Sequence, residues 1–133
     1  MPYKRLFLSS DKPKDGLTQE AREAIVDVLH FCMYADRHIA ASEDVFIEKA
    51  ARTLDWSPTI SYESYEAKST GAVTRALSDA SLRAEFFGSL KARLAKSADR
   101  ELALALAGDL MVADGAKTAE ESKALVELQQ GLA

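Results

Sequence analysis

Cysteine is nearly absent from this 133-residue chain, since Cys32 is the only one. One thiol cannot form an internal disulfide, nor can it supply the clustered thiolates of a zinc or iron–sulfur site. Long apolar runs are also missing. The longest near the start is Leu6-Phe7-Leu8, far short of a signal-peptide core or of the ~20 residues of a membrane span. These absences predict a cytoplasmic protein without a membrane span.

An excess of positive charge is lacking as well. Lysine and arginine total 17 against 21 aspartate and glutamate residues, so the net charge is −4. Binding to duplex nucleic acid needs a concentrated positive field, and nucleic acid is therefore not an expected partner. The sequence also contains no Gly-x-Gly-x-x-Gly, Walker A, His-Glu-x-x-His or Gly-x-Ser-x-Gly motif. We accordingly expect no catalytic activity.

Valine and isoleucine are few, ten together, against 23 alanines and 16 leucines. This ratio favours helix over sheet and predicts an all-α fold, and the chain length favours one domain. Residues 1–19 carry two of the three prolines, Pro2 and Pro13, with several basic residues and Gly16. We interpret them as an N-terminal arm that leads into a single helical domain over residues 20–133.

Apolar spacing predicts about seven helices in this domain. The clearest starts near Thr18, stops near Asp36 and bears an apolar stripe, and Ser42 is expected to cap the second. Residues 59–80 are expected to form two short helices, because Ser69-Thr70-Gly71 interrupts the pattern. Residues 102–107 are apolar on nearly all sides and predict a central, fully surrounded helix. Thr118 and Glu121 form a capping box that starts the last helix.

An internal repeat becomes visible when the chain is aligned with itself at an offset of 78 residues. Ala35-Asp36 then falls on Ala113-Asp114, and Glu43 falls on Glu121. Both copies read Ala-Asp, six residues, Glu. In each copy the Ala-Asp closes a strongly apolar helix, and the Glu lies in the first turn of the next one. We therefore interpret the two loops as equivalent.

In this feature the sequence resembles the TerB-like domains, named after tellurite-resistance protein B, over roughly residues 20–132. The resemblance implies a compact all-α bundle of about seven helices with internal pseudo-symmetry, found in bacterial proteins linked to tellurite and general stress response. It also implies divalent-cation binding, and places the family's acidic residues at Asp36, Glu43, Asp114 and Glu121. The second copy fits through Asp114-Gly115, whereas Arg37 stands where the first copy would have glycine.

Two interpretations of the acidic loops remain open. Each loop is either a structural joint, in which the carboxylates bond turn and helix-start amides, or part of a site for a hard divalent ion such as calcium, magnesium or manganese. Asp44 and Glu120 are possible accessory ligands. An EF-hand is excluded, because Ala116 and Leu125 would occupy ligand positions in the second loop.

Other residues offer further candidates. Trp56, Tyr62 and Tyr65 form either a partner-binding aromatic surface or a small satellite core. A surface or half-buried position is expected for His30, and a buried one for Cys32. The basic residues Lys91, Arg93, Lys96 and Arg100 are expected to form a solvated face, or alternatively to dock an acidic partner.

The preferred hypothesis is thus a cytoplasmic divalent-cation-binding or sensing module linked to tellurite or stress response. The alternative is a metal-free interaction or scaffold domain, a monomer or homodimer with an unidentified protein partner.

Overall fold

The structure, a computed structural model, describes residues 17–35, 41–113 and 119–132, with backbone only at residues 41–44, 113 and 119–121. These ranges contain six α-helices and no strand. The helices are α1 (Gln19–Tyr34), α2 (Ala41–Thr53), α3 (Tyr62–Ser78), α4 (Ala80–Arg93), α5 (Ser97–Ala113) and α6 (Ala119–Gly131). The expected all-α class is confirmed. Within the described ranges, no helix is both long and apolar enough to cross a membrane.

Helix α1 forms the centre of the bundle and packs against each of the other five helices. Thr18 caps its start, since the Thr18 hydroxyl accepts a hydrogen bond from the amide of Ala21 at 3.0 Å. Every residue from Ala24 to Met33 is buried, including Cys32, as predicted. The paired helices α3 and α4 pack on α1, while α5 packs on α1 together with α2 and α6.

The prediction that residues 102–107 lie in a fully surrounded helix is wrong. Helix α5 buries one broad face, but Ala105 is exposed and Val112 is 73% exposed. Alanine occurs on core and solvent faces alike, so the alternation of Leu and Ala did not specify how many sides of the helix are covered. The fully surrounded helix is α1.

Residues 62–78 form one helix of 17 residues where two short helices were expected. A glycine inside a helix costs only about 1 kcal/mol, which burial of one face outweighs. The buried residues of α3 recur at helical spacing and are Tyr62, Tyr65, Ser69, Val73 and Ala76. Ser69 lies on this buried face, which is why the apolar pattern looked interrupted.

The end of α2 is closed by a Schellman motif. The Trp56 amide donates to the Ala51 carbonyl at 3.2 Å, and the Asp55 amide donates to the Arg52 carbonyl at 3.1 Å. Asp55 itself adopts a left-handed conformation with φ of 69°. Glycine takes this conformation without the steric cost that a Cβ atom brings.

Asp55→Gly is therefore expected to raise the free energy of unfolding by ~0.5–1 kcal/mol. Part of the gain comes from removing a negative charge at the helix C-terminus, where the dipole disfavours it. Asp55→Asn removes the charge and retains a residue that tolerates the left-handed region, so it separates the two contributions. Urea unfolding of the three proteins measures the effect. An Asp55→Gly variant less stable than the parent contradicts the assigned backbone strain.

Candidate functional site

A buried polar network joins α1, α3 and α4. Its centre is the carboxylate of Asp27, a residue that is only 4% exposed. The hydroxyls of Tyr65 and Ser69 donate to Asp27 Oδ1 at 2.8 and 2.6 Å. Arg93 Nη2 donates to Asp27 Oδ2 at 2.7 Å and forms an ion pair with it. Three side chains from two helices, α3 and α4, thus donate hydrogen bonds to one carboxylate of α1.

The direction of each proton in this network follows from counting donors. Ser69 has one hydroxyl proton and donates it to Asp27, because an ionised carboxylate only accepts. His30 Nδ1 lies 2.8 Å from the Ser69 oxygen, so His30 must carry a proton on Nδ1 and donate it to Ser69. Tyr65 likewise donates to Asp27 and accepts from Arg93 Nη1 at 3.3 Å. The result is a continuous chain from His30 to Arg93.

Electrostatics fix the protonation state of two members of the network, Tyr65 and Arg93. Burial, followed by the neighbouring Asp27 charge, raises the pKa of the Tyr65 hydroxyl well above 10. For Arg93, burial lowers the pKa, but attraction to Asp27 and hydrogen bonding outweigh it and leave the pKa raised. Tyr65 therefore stays neutral and Arg93 stays charged across the physiological range.

The network forms the floor of an open groove of about 460 Å³ between α1, α3 and α4. Acidic residues on the groove walls include Glu20, Glu23 and Glu85, and basic ones include Lys68 and Arg75. Ser69 does not match a nucleophilic serine, because it is 1% exposed and its proton goes to Asp27 rather than to a histidine. The arrangement is suited to holding the α3–α4 pair against α1.

Sequence reasoning missed this network. His30 was expected at the surface or half-buried, yet it is fully buried. Arg93 was grouped with a solvated basic face, yet it pairs with Asp27, while Lys91 and Lys96 are exposed. The available signal was Asp27 itself, a charged residue between Val26 and Val28 in the most apolar part of α1. A charge at such a position requires a partner from another element.

Of the six acidic residues of the predicted cation site, two lie outside the described residues and four are described by their backbone only. Asp36 and Asp114 lie outside the described residues, as do His38, Thr118 and residues 1–16 with the Leu6-Phe7-Leu8 run. The backbone places Glu43 and Asp44 in the first turn of α2, and Glu120 and Glu121 in the first turn of α6. Ser42 also lies inside α2 rather than before it. No group of three or more metal-ligating side chains occurs among the described residues.

The three aromatic candidates are brought together. The Trp56 ring centroid lies 5.5 Å from those of both Tyr62 and Tyr65. Tyr62 and Tyr65 are buried, and half-buried Trp56 donates from Nε1 to the Ile60 carbonyl at 2.8 Å. Trp56 and Tyr62 also line a second groove of about 440 Å³, which we call the Trp56 groove. It runs from the end of α2 to the start of α3.

Helix α5 contains a buried carboxylate oxygen that, in contrast to those of Asp27, is not hydrogen-bonded to any described residue. Asp109 Oδ2 is buried and has no hydrogen-bond partner among the described residues. Burial accordingly raises the pKa of Asp109 above 3.8. Because its pKa is higher when the protein is folded, the ionised carboxylate lowers stability at neutral pH, and this penalty disappears as the pH falls through the folded pKa.

Asp109→Asn is therefore expected to raise the free energy of unfolding at pH 7, with a smaller difference from the parent at about pH 3. Urea unfolding at both pH values measures the two differences, and Glu101→Gln on the exposed side of α5 is the control. A difference between Asp109→Asn and the parent that does not change with pH contradicts the assignment.

No protein-family model, curated protein or solved structure matches this chain. The resemblance to TerB-like domains therefore remains a prediction from the residues quoted above.

Proposed function

We propose that this chain is a TerB-like divalent-cation-binding or sensing module without catalytic activity, linked to tellurite or stress response. Two equivalent helix, acidic loop, helix units would supply the site. Asp36 and Glu43 belong to the first unit and Asp114 and Glu121 to the second. The observation that carries the proposal is the agreement of helix boundaries and buried positions between the two units.

The points at which the helices begin agree with the offset of 78 residues. Helices α1 and α5 begin at positions 19 and 97, and α2 and α6 begin at positions 41 and 119. The latter two also have equal length, ending at positions 53 and 131. Both loops thus lead into the following helix at equivalent points, with Glu43 and Glu121 each third in that helix, whereas the preceding helices end one residue apart at this offset, at Tyr34 and Ala113. This supports treating the acidic residues as two matched pairs.

The buried faces agree at the same offset. Six buried positions of α1 correspond to six buried positions of α5: 24, 25, 28, 29, 32 and 33 to 102, 103, 106, 107, 110 and 111. In the second helices, buried Phe46, Ala50 and Leu54 correspond to buried Ala124, Leu128 and Leu132, each to the residue 78 positions later. The helices also pack crosswise, α1 against α6 and α5 against α2. This pattern supports a pseudo-symmetric repeat, and with it the equivalence of the loops.

The chemistry of the donor set suits a hard cation. All four residues are carboxylates, and calcium, magnesium and manganese prefer oxygen ligands. Asp36 and Asp114 follow helix C-termini, where the helix dipole disfavours negative charge by ~0.3–1 kcal/mol. A bound cation would offset this cost and join the end of one helix to the start of the next. Asp44 and Glu120 would assist as accessory ligands.

A thermal melt of chelator-stripped protein with calcium, magnesium, manganese or zinc tests this function. A site filled at ~100 times its dissociation constant adds about 2.7 kcal/mol, which raises the midpoint by roughly 10 °C for a domain of this size. Asp36→Asn and Asp114→Asn should each reduce the rise. Asp79→Asn, at the start of α4, is the control that should retain it. The proposal fails if no ion shifts the midpoint, or if the loop variants respond like the parent.

A second candidate function is the binding of a protein partner in the Trp56 groove. The partly exposed apolar wall of this groove favours it. Ile60 is 37% exposed there, and Pro58 is exposed beside the Trp56 ring. Ile60→Asp should abolish capture of a protein partner while leaving the cation-dependent midpoint unchanged. Capture that is unaffected by Ile60→Asp assigns the interaction to another surface.

A further inference from the structure

We infer that the Trp56 groove is the docking site of this chain's own N-terminal arm, with residues 4–8 (Lys-Arg-Leu-Phe-Leu) as the occupant. The inference concerns a different surface from the cation site and stands independently of it. It rests on the apolar character of the groove, its unbalanced acidic charge and the point at which the arm enters the domain.

The groove offers apolar surface to a ligand. Its wall includes the half-buried Trp56 ring, the exposed Pro58 and the 37% exposed Ile60. Leu6, Phe7 and Leu8 form a matching apolar run in the arm. Burying such side chains against this wall is favourable, by roughly 25 cal/mol for each Å² of apolar surface removed from water.

Charge favours a basic segment. The groove contains the carboxylates of Asp55 and Glu63, and neither forms an ion pair with a described cation. Arg52, the one cation among the described residues that line the groove, is already paired with Glu48 at 2.5 Å. Lys4 and Arg5 directly precede the apolar run of the arm. A segment that is basic and then apolar therefore complements both the rim and the wall.

The chain enters the domain beside this groove. Leu17, the first described residue, is buried, and two residues later the Gln19 side chain accepts a hydrogen bond from the Ser57 amide at 3.1 Å. Arg22 also donates to the Leu54 carbonyl. The nine residues from Leu8 to Leu17 can span up to about 30 Å when extended, so residues 4–8 can reach the groove.

The groove above the Asp27 network is a poorer site for this segment. Its floor consists of Asp27, Tyr65, Ser69 and Arg93, and its walls carry charges of both signs. A segment that is basic and then apolar would meet less unopposed acidic charge there, because Lys68 and Arg75 line the same walls as Glu20, Glu23 and Glu85. The charge pattern of residues 4–8 therefore favours the Trp56 groove.

The single tryptophan of the chain is a direct reporter of this docking. In the full chain, substituting Leu6→Ser, Phe7→Ser and Leu8→Ser together should shift Trp56 emission to longer wavelength and increase its quenching by acrylamide. Lys12→Ser with Lys14→Ser should leave both unchanged, because these cations lie outside residues 4–8. Far-ultraviolet circular dichroism establishes that each variant remains helical.

A pair of charge-reversing substitutions tests the inferred attraction between the basic residues of the arm and the acidic residues of the groove. Glu63→Lys alone should increase the quenching of Trp56 emission by acrylamide. Adding Arg5→Glu should restore the protection of Trp56 from acrylamide. Protection should not depend on protein concentration, because the arm belongs to the same chain. Equal quenching of the parent and the triple-serine variant overturns the inference. Protection that is lost on dilution, or that appears only when another protein is added, also overturns it and assigns the groove to a second copy or to a foreign partner.

Discussion

Replacing Arg93 by methionine is expected to lower the free energy of unfolding by about 3 kcal/mol. The substitution keeps an apolar stem of similar length but leaves the Asp27 carboxylate, whose side chain is 5% exposed, without its cation. It also removes the guanidinium donor to the Tyr65 hydroxyl. A buried charge that loses its partner retains its full desolvation cost, which is why one surface-accessible arginine has so large an effect.

The control is Arg52→Met, the same substitution at the exposed ion pair with Glu48, where little change is expected. Adding Asp27→Asn to Arg93→Met should recover part of the stability, because the unpaired charge is then removed. Urea unfolding of all four proteins measures these differences. If the double variant is no more stable than Arg93→Met alone, the loss does not arise from the isolated charge.

Leu106→Ala is expected to destabilise the protein by about 3 kcal/mol, whereas Leu104→Ala, two residues earlier in α5, should cost only about 1 kcal/mol. Leu106 is 1% exposed in the core, while Leu104 is only partly buried against its edge. Truncation at Leu106 leaves a cavity that the surrounding side chains cannot fill. At Leu104 solvent can occupy part of the space.

This pair of variants distinguishes the observed packing of α5 from the fully surrounded helix that the sequence pattern predicted. Both substitutions remove the same atoms from the same helix, so differences in helix propensity cancel. Thermal and urea unfolding measure both effects. Equal losses at the two positions would mean that α5 is covered on all sides, contrary to the described fold.

Helix positions were predictable where apolar spacing was unbroken. The stripe of α1 and the start of that helix at Thr18 follow from local periodicity and capping. The prediction failed at α3, because Ser69 satisfies its hydroxyl on Asp27 and so occupies a core position usually held by an apolar residue. A polar residue that finds a distant partner looks like a helix break in the sequence alone.

The candidate sites also differ in whether the sequence could predict them. The repeated Ala-Asp loops are a sequence feature, and their cation binding stays a prediction for the melt to decide. The Asp27 network was not predictable, because its members come from positions 27, 30, 65, 69 and 93 and none of them forms a motif. Their pairing depends on how α3 and α4 pack on α1.

By itself, then, the sequence determined the helical class, the spacing of the acidic loops and the burial of Cys32, because composition and periodicity act over a few neighbouring residues. Only the tertiary structure decided which helix is central, that residues 62–78 form one helix, and that Arg93 neutralises Asp27. Those outcomes depend on long-range packing, in which the cost of burying a charge or a hydroxyl is met by partners up to 66 residues away.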